Sequence, residues 1–396
     1  MRIAAFISHP IQYFTPLWRE LSARPEVTLE VFYFSRQGLE STVDEGFGQK
    51  FAWDIDLLEG HRHTFLTNFL GGEAPTDIRT RRINAGLRNA LDEGWDVVFI
   101  AGYGFLNNWL LSYLSDRRDV PVLCFGDTTL ITTRGRPLWK RVTKELLLRG
   151  LFSRIDAFLC AGGHSADYFQ SYGAGPEQTF ICPYVVDVDR WRNTVAAASA
   201  AELAELRERR GIPEGKRIVM FCGKLAPWKR PQDLISAVRK LGRDDVHVVF
   251  VGEGELRPRL EREGGELISI TGFINQKEIP LVLSLGDVLV LPSQSEPYGL
   301  VAGEAQTLGI PAIVSDQCGC WGPGSTVQDG ESGFVYPVAD IDALAGHIGR
   351  LLSDDALHAR MSRAAIARGD AQSPAAAAEG FLDAARFAIA RRADTR

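Results

Sequence analysis

The chain has 396 residues, more than one hydrophobic core comfortably serves, so two domains of ordinary size are expected. Its 45% hydrophobic and 24% charged residues are the balance of a soluble globular protein, and a net charge of −6 argues against a nucleic-acid binder. No stretch reaches the roughly eighteen apolar residues of a membrane span, and His9-Pro10 breaks the opening MRIAAFISHP too early for a signal peptide.

From the start, short runs rich in Val, Ile and Phe alternate with helix-length amphipathic segments. RIAAFIS, VTLEVFYFS, DVVFIAG, PVLCFGD, AFLCAGG and TFICPY read as strands in the first half. Runs apolar on both faces belong to parallel sheets covered by helices, the doubly wound α/β pattern. After the first strand comes Ser8-His9-Pro10-Ile11-Gln12, where His9 and Gln12 stand ready to meet a ligand and Pro10 is placed to open a helix. The alternative is that His9 caps that helix. PVLCFGD ends in Asp127, which either faces a ligand in an orienting or proton-accepting role or caps the next helix. Residues 134–154 are basic with interleaved Trp139, Leu146 to Leu148, Leu151 and Phe152. They read either as a helix lying on anionic lipid or as one packing an apolar face on its own sheet.

The rhythm pauses between Val185 and Gly215, in an Ala-rich helix followed by a Gly-Ile-Pro turn, and restarts at Arg217 with RIVMFCG, VHVVFVG, LISITGF, DVLVLPS and PAIVSD. Two Rossmann-like halves facing across a cleft are expected: residues 1–190, residues 191–372, and a C-terminal helix over 373–396 that caps the second half or crosses back to the first.

In such sheets ligands bind beyond the carboxyl ends of strands. RIVMFCG is followed by a loop bracketed by Lys224 and Lys229, and fixed cations suit a diphosphate leaving group whose negative charge grows. DVLVLPS is followed by Glu296-Pro297-Tyr298-Gly299-Leu300-Val301, a tight turn into a helix start whose amides suit phosphate. Glu304, a turn further on, is placed to accept both hydroxyls of a ribose. Each residue alone also has a plain structural reading: solvated lysines, and a first-turn acid favouring the helix dipole. Together they form a specific arrangement.

On these motifs the second half resembles the retaining glycosyltransferases of family 4, whose two-Rossmann-domain fold is called GT-B. The match lies in Gly223-Lys224 to Lys229, in Glu296 to Glu304 as the Glu-x7-Glu motif, and in VGEGEL, ITGFINQKEI, GIPAIVSD and DGESGFVYP. The resemblance implies that Lys224 and Lys229 hold the donor diphosphate, Glu304 the ribose and Glu296 the transferred sugar. It places amides of Tyr298, Gly299, Leu300 and Val301 on phosphate or sugar, and the backbone of Phe273-Ile274 on the base. It implies a nucleotide-sugar donor, UDP by frequency, a glycan or lipid-linked acceptor, retention of configuration without a protein nucleophile, and no metal or other cofactor. Cell-envelope or exopolysaccharide synthesis is the setting it suggests. Many members place a His near the reacting sugar in the first domain; here Asp127 stands at that strand end, and His9 is the other candidate.

Two further classes share the fold: a nucleotide-sugar epimerase, for which no acid–base pair is assignable, and a non-catalytic partner subunit, against which the intact lysines and glutamates argue. Asp54-Ile-Asp56 and Asp187-Val-Asp189 imitate a metal motif of another fold but lack its setting and read as structural. The six cysteines, Cys124, Cys160, Cys182, Cys222, Cys318 and Cys320, lack zinc spacing and suit a reducing cytoplasm, with attachment to the inner face of a membrane through 134–154 left open.

Overall fold

The computed structural model describes residues 1–39, 42–44, 49–67, 83–131 and 138–394, without the side chains of 42–44, 49–51 and 138–141. Strands β1 (Arg2–Ile7), β2 (Thr28–Tyr33), β3 (Thr42–Asp44), β4 (Gln49–Phe51), β5 (His63–Phe65), β6 (Val97–Ala101), β7 (Val122–Gly126), β8 (Ala157–Cys160) and β9 (Thr179–Ile181) come first. Then follow β10 (Arg217–Cys222), β11 (Val246–Val251), β12 (Ile268–Gly272), β13 (Val288–Leu291), β14 (Ala312–Ser315) and β15 (Gly333–Tyr336). Each apolar run named above is a strand. The sequence pattern did not single out β5 or β15, which lie at sheet edges, nor the short strands β3 and β4.

The first sheet runs β5-β2-β1-β6-β7-β8-β9 and the second β12-β11-β10-β13-β14-β15, while β3 and β4 form a two-stranded pair. Neighbours within both large sheets are parallel. In each sheet the chain winds outward from a central strand, then returns to that strand's other side. The reversal falls between β1 and β6 in one sheet and between β10 and β13 in the other, where a doubly wound sheet opens a crevice for ligand.

The chain divides into two compact units: one of Met1–Thr42, Phe51–Val185 and Pro374–Arg396, the other built on Val186–Ser373. In the second unit Val219, Phe221, Val248, Phe250, Val290 and Ile313 of the sheet meet Leu234, Val238, Leu344 and Ile348 of the covering helices. Burial of each such side chain contributes about 1.5–3 kcal/mol, so these strands are rigid mounts for the loops that leave them.

In the first unit, helix Pro374–Asp394 buries Ala377, Phe381, Ala384, Ala385 and Ala388. Phe381 stands edge-on to Trp18, and Gly380 packs so closely under the Ile181 carbonyl that an added Cβ would lie 2.8 Å from it. Arg392 anchors the far end on Asp156 at 2.8 and 3.1 Å and on Asp116 at 3.0 Å.

Candidate donor site

Two loops leave the strands that flank the second sheet's reversal. After β10, Gly223 turns with φ +150 and Leu225 N–H donates to the Glu253 carbonyl at 2.8 Å. A single 3₁₀ turn, Pro227–Lys229, then carries Lys229. After β13, Gln294 N–H donates to the Trp228 carbonyl at 2.7 Å, which fastens the second loop to the first. Lys229 Nζ donates to Glu296 Oε2, toward which Ser293 Oγ also points at 3.4 Å. The Glu296 backbone is fixed on both sides, its N–H on Gln317 O at 3.2 Å and its carbonyl on Gly319 N–H at 3.0 Å. The lysine and the glutamate thus form a partly buried ion pair on two braced loops.

The lysine loop depends on a close backbone approach from the turn after β11. A Cβ on Gly252 would lie 2.0 Å from the Gly223 carbonyl oxygen, and one on Gly254 would lie 2.5 Å from that of Leu225. Both glycines also have φ near +150, which L side chains avoid. Gly252→Ala is expected to displace Lys224 and weaken nucleotide binding more than about tenfold, because backbone cannot yield as a side chain can. Titration calorimetry with nucleoside diphosphates checks this; unchanged affinity counts against the loop as a binding element.

Gly299 has φ +102, which L side chains rarely adopt, and an added Cβ would press on Cys320 Sγ and Leu291 Cδ1 at 3.1 Å each. The Tyr298 ring is buried, its hydroxyl 2.8 Å from Thr326 Oγ1, so only its backbone is available to a ligand. Helix Val301–Thr307 follows with Leu300 as N-cap, and the amides of Ala302, Gly303 and Glu304 close on Gly299 and Leu300 carbonyls. Glu304 is only 8% exposed. Burial pushes its pKa up to about 7, and the positive charge of Arg190 pulls the other way. Burial raises the pKa of the Cys222 thiol at the end of β10, with the Glu304 carboxylate adding to the rise and Lys229 opposing it.

The loop after β12 carries half-buried Phe273 and buried Ile274. Two residues further, Gln276 is held by Arg190, whose Nη1 donates to the backbone carbonyl at 2.8 Å and Nη2 to the side-chain oxygen at 3.2 Å. Sequence reasoning missed both residues, and no local pattern marks them.

In the first unit, His9 lies beyond β1 with Nδ1 2.9 Å from Ser8 Oγ. Burial lowers its pKa to about 4, so the ring is neutral at pH 7. It does not cap a helix: the next one, Thr15–Ala23, starts after Phe14 with no side-chain cap, and Pro16 rather than Pro10 stands in its first turn. Asp127, beyond β7, accepts from the Tyr184 hydroxyl at 3.0 Å. The Tyr184 ring meets Phe125 and Tyr13 edge-on. Strand β6 lies between the strands that carry His9 and Asp127.

Both Asp-x-Asp strings have local structural work. Asp56 accepts two backbone N–H groups, and Asp187 caps helix Val188–Ala197 through Arg190 N–H. Among the described residues no group of His, Cys, Asp and Glu could hold a metal ion, and the six cysteines are unbridged. Of the basic segment, residues 134–137 and the side chains of 138–141 lie outside the described residues. In helix Leu138–Phe152, Leu148, Leu151 and Phe152 pack into the core while Val142, Leu146 and Leu147 are exposed. No described helix is long and apolar enough to cross a membrane.

Residues 203–368 match the family model described as glycosyl transferases group 1. The likeness lies in this stretch of the second unit, less than half of the chain. Among curated relatives, the chain is 35% identical over 173 residues to alpha-D-kanosaminyltransferase from Streptomyces kanamyceticus, covering 42% of this chain and 44% of that one. It is 30% identical over 263 residues to the D-inositol 3-phosphate glycosyltransferase of Nocardia farcinica, covering 63% and 56%. The chain thus spans about half the length of these relatives. Among solved structures, HepE from Anabaena in complex with UDP matches with a TM-score of 0.72 at 17% identity, over 97% of this chain and 99% of that one. At that identity the likeness concerns the fold, two parallel-sheet α/β domains of the GT-B glycosyltransferases.

The group 1 stretch contains Gly223, Lys224, Lys229, Phe273, Ile274, Glu296, Tyr298 to Val301 and Glu304. His9, Asp127 and Arg190 lie outside it.

Proposed function

We propose that the protein is a metal-independent, retaining glycosyltransferase that moves a sugar from a nucleoside-diphosphate sugar, with UDP favoured, to a hydroxyl of a glycan or lipid-linked acceptor. The observation that carries this reading is the convergence of Lys229, Glu296 and Glu304 around the ends of β10 and β13, at the point where the sheet's winding reverses.

Each group has chemistry suited to one part of the donor. Lys224 and Lys229 supply positive charge for the diphosphate, which gains charge as the anomeric carbon–oxygen bond breaks. The backbone of Gly299 to Val301 offers N–H groups for phosphate or sugar. Glu304 accepts the ribose hydroxyls, Glu296 those of the transferred sugar, and the backbone at Phe273-Ile274 meets the base. Transfer breaks the bond between the anomeric carbon and the leaving phosphate oxygen and forms one to the acceptor oxygen on the same face. The acceptor proton passes to a departing phosphate oxygen, so the scheme needs no protein nucleophile. His9, neutral at pH 7, and Asp127, set by Tyr184, are this reading's candidates for orienting the acceptor.

Release of nucleoside diphosphate, assayed across UDP-, GDP- and ADP-sugars, tests the reading. Transfer predicts release only when acceptor is present and an unchanged rate with chelator. Isomerised donor without release would replace it with the epimerase, and a rate abolished by chelator would remove the metal-free mechanism.

A further inference from the structure

We propose that Arg190 is a positioning residue of the donor site, locking the loop after β12 through Gln276 and setting a fixed positive charge on the helix packed against the one that carries Glu304. The inference rests on the donor reading above and names a residue that neither the motif pattern nor the group 1 stretch contains.

Arg190 lies in the first turn of helix Val188–Ala197, where Asp187 both caps the helix by accepting from Arg190 N–H at 3.2 Å and approaches its Nε at 3.6 Å. With the backbone so held, the guanidinium spends its two Nη groups on Gln276, one on the main-chain carbonyl and one on the side chain. Gln276 is 7% exposed, so this fork fixes a buried residue two positions from Ile274. A planar fork can serve two acceptors of one residue at once; an ammonium cannot reproduce that geometry. Helix Val188–Ala197 also packs on helices Ile279–Leu283 and Val301–Thr307, so Arg190 joins the elements assigned to base and ribose.

Burial of Glu304 favours its neutral form, and a ribose needs the acceptor-only carboxylate. Arg190 is the group whose charge offsets that burial. The other ionisable neighbours are Cys222 at the end of β10, with Lys229 beyond it. On helix Asp355–Asp370, which packs against Val301–Thr307, Arg368 donates to Ser325 O and Asp370 pairs with Arg192.

The test compares Arg190→Gln, Arg190→Lys and Glu304→Gln with the wild type. Binding of whichever of UDP, GDP and ADP the wild type holds most tightly is measured by calorimetry from pH 6 to 9, with circular dichroism to confirm folding. Titration of the phosphate is common to all variants and cancels in the ratios. Arg190→Gln is expected to weaken binding about tenfold at pH 7, with the loss larger at pH 6 and smaller at pH 9, because Glu304 then ionises only at higher pH. Arg190→Lys keeps the charge and loses the fork, so its loss is a constant factor of a few-fold across the range. A loss in Arg190→Gln that does not vary with pH, or no loss in either variant, overturns the proposal. If Glu304→Gln binds as tightly as the wild type, or no nucleotide binds, the donor reading itself falls and takes the proposal with it.

Discussion

Glu304→Gln is expected to stabilise the ligand-free protein at pH 8 while removing most of its affinity for donor. The folded-state pKa is about 7 against an ordinary 4.5, so folding favours the protonated carboxyl. For a group raised in this way the stabilising contribution is complete below pH 4.5 and is lost as pH rises through 7. Above that, the buried charge costs about 3 kcal/mol, from the pKa difference alone. Glutamine carries no charge but still needs hydrogen-bond partners, which returns about 1 kcal/mol of the gain. The net effect is about 2 kcal/mol in favour of the variant at pH 8 and close to zero or slightly negative at pH 5. Denaturant midpoints at the two pH values check this, and the difference between variant and wild type isolates Glu304 from other titrating groups such as His247 and Asp233. In the same preparation nucleotide affinity should fall by about a hundredfold, since a carboxylate taking two hydroxyls is replaced by an amide. A variant that loses affinity without gaining stability at pH 8 would mean that the carboxylate is not strained by burial.

That strain is where sequence reasoning reached its limit. The apolar runs of β10 and β13 are explicit in RIVMFC and VLVL, and Lys224, Lys229, Glu296 and, inside the next helix, Glu304 follow them, so strand periodicity alone leads to these candidates. The pairing of Lys229 with Glu296 joins positions 67 apart and follows from sheet order, with β13 laid beside β10 rather than beside β12. Periodicity within a segment carries no information about that order. Arg190 is a stronger case: it sits in VDVDRWRN, where no motif marks it, and meets Gln276 86 positions later. Tyr184 and Asp127, 57 apart, are likewise joined only by the fold. The strands missed are short: β5 and β15 lie at sheet edges, and β3 and β4 pair outside both large sheets, where few flanking contacts demand a strong apolar signal. Pro10 drew the helix start five residues too early because a proline suits a first turn wherever it stands, and here Pro16 is the one used.

Opposite signs are expected for nucleotide binding when the two members of the Lys229–Glu296 pair are removed in turn. The glutamate pairs with the lysine that the proposed reading assigns to the donor diphosphate. An arriving diphosphate must compete with that carboxylate and tolerate its repulsion. At an effective dielectric of about 20, two unit charges about 4 Å apart interact by about 4 kcal/mol before solvent screening, so the competition is large enough to measure. Glu296→Gln therefore leaves Lys229 free and should tighten nucleoside diphosphate binding by roughly threefold to tenfold. Yet the same variant should transfer sugar about 10²–10³-fold more slowly, because the carboxylate assigned to the sugar hydroxyls is gone. Lys229→Ala should weaken binding and transfer together, and the double variant should bind nucleotide with an affinity between those of the singles. If Glu296→Gln weakened nucleotide binding as much as Lys229→Ala, the pair would be a clasp holding two loops together rather than two separate parts of a donor site. The sign of one binding constant therefore separates a structural ion pair from a site in which phosphate and sugar are held by different charges.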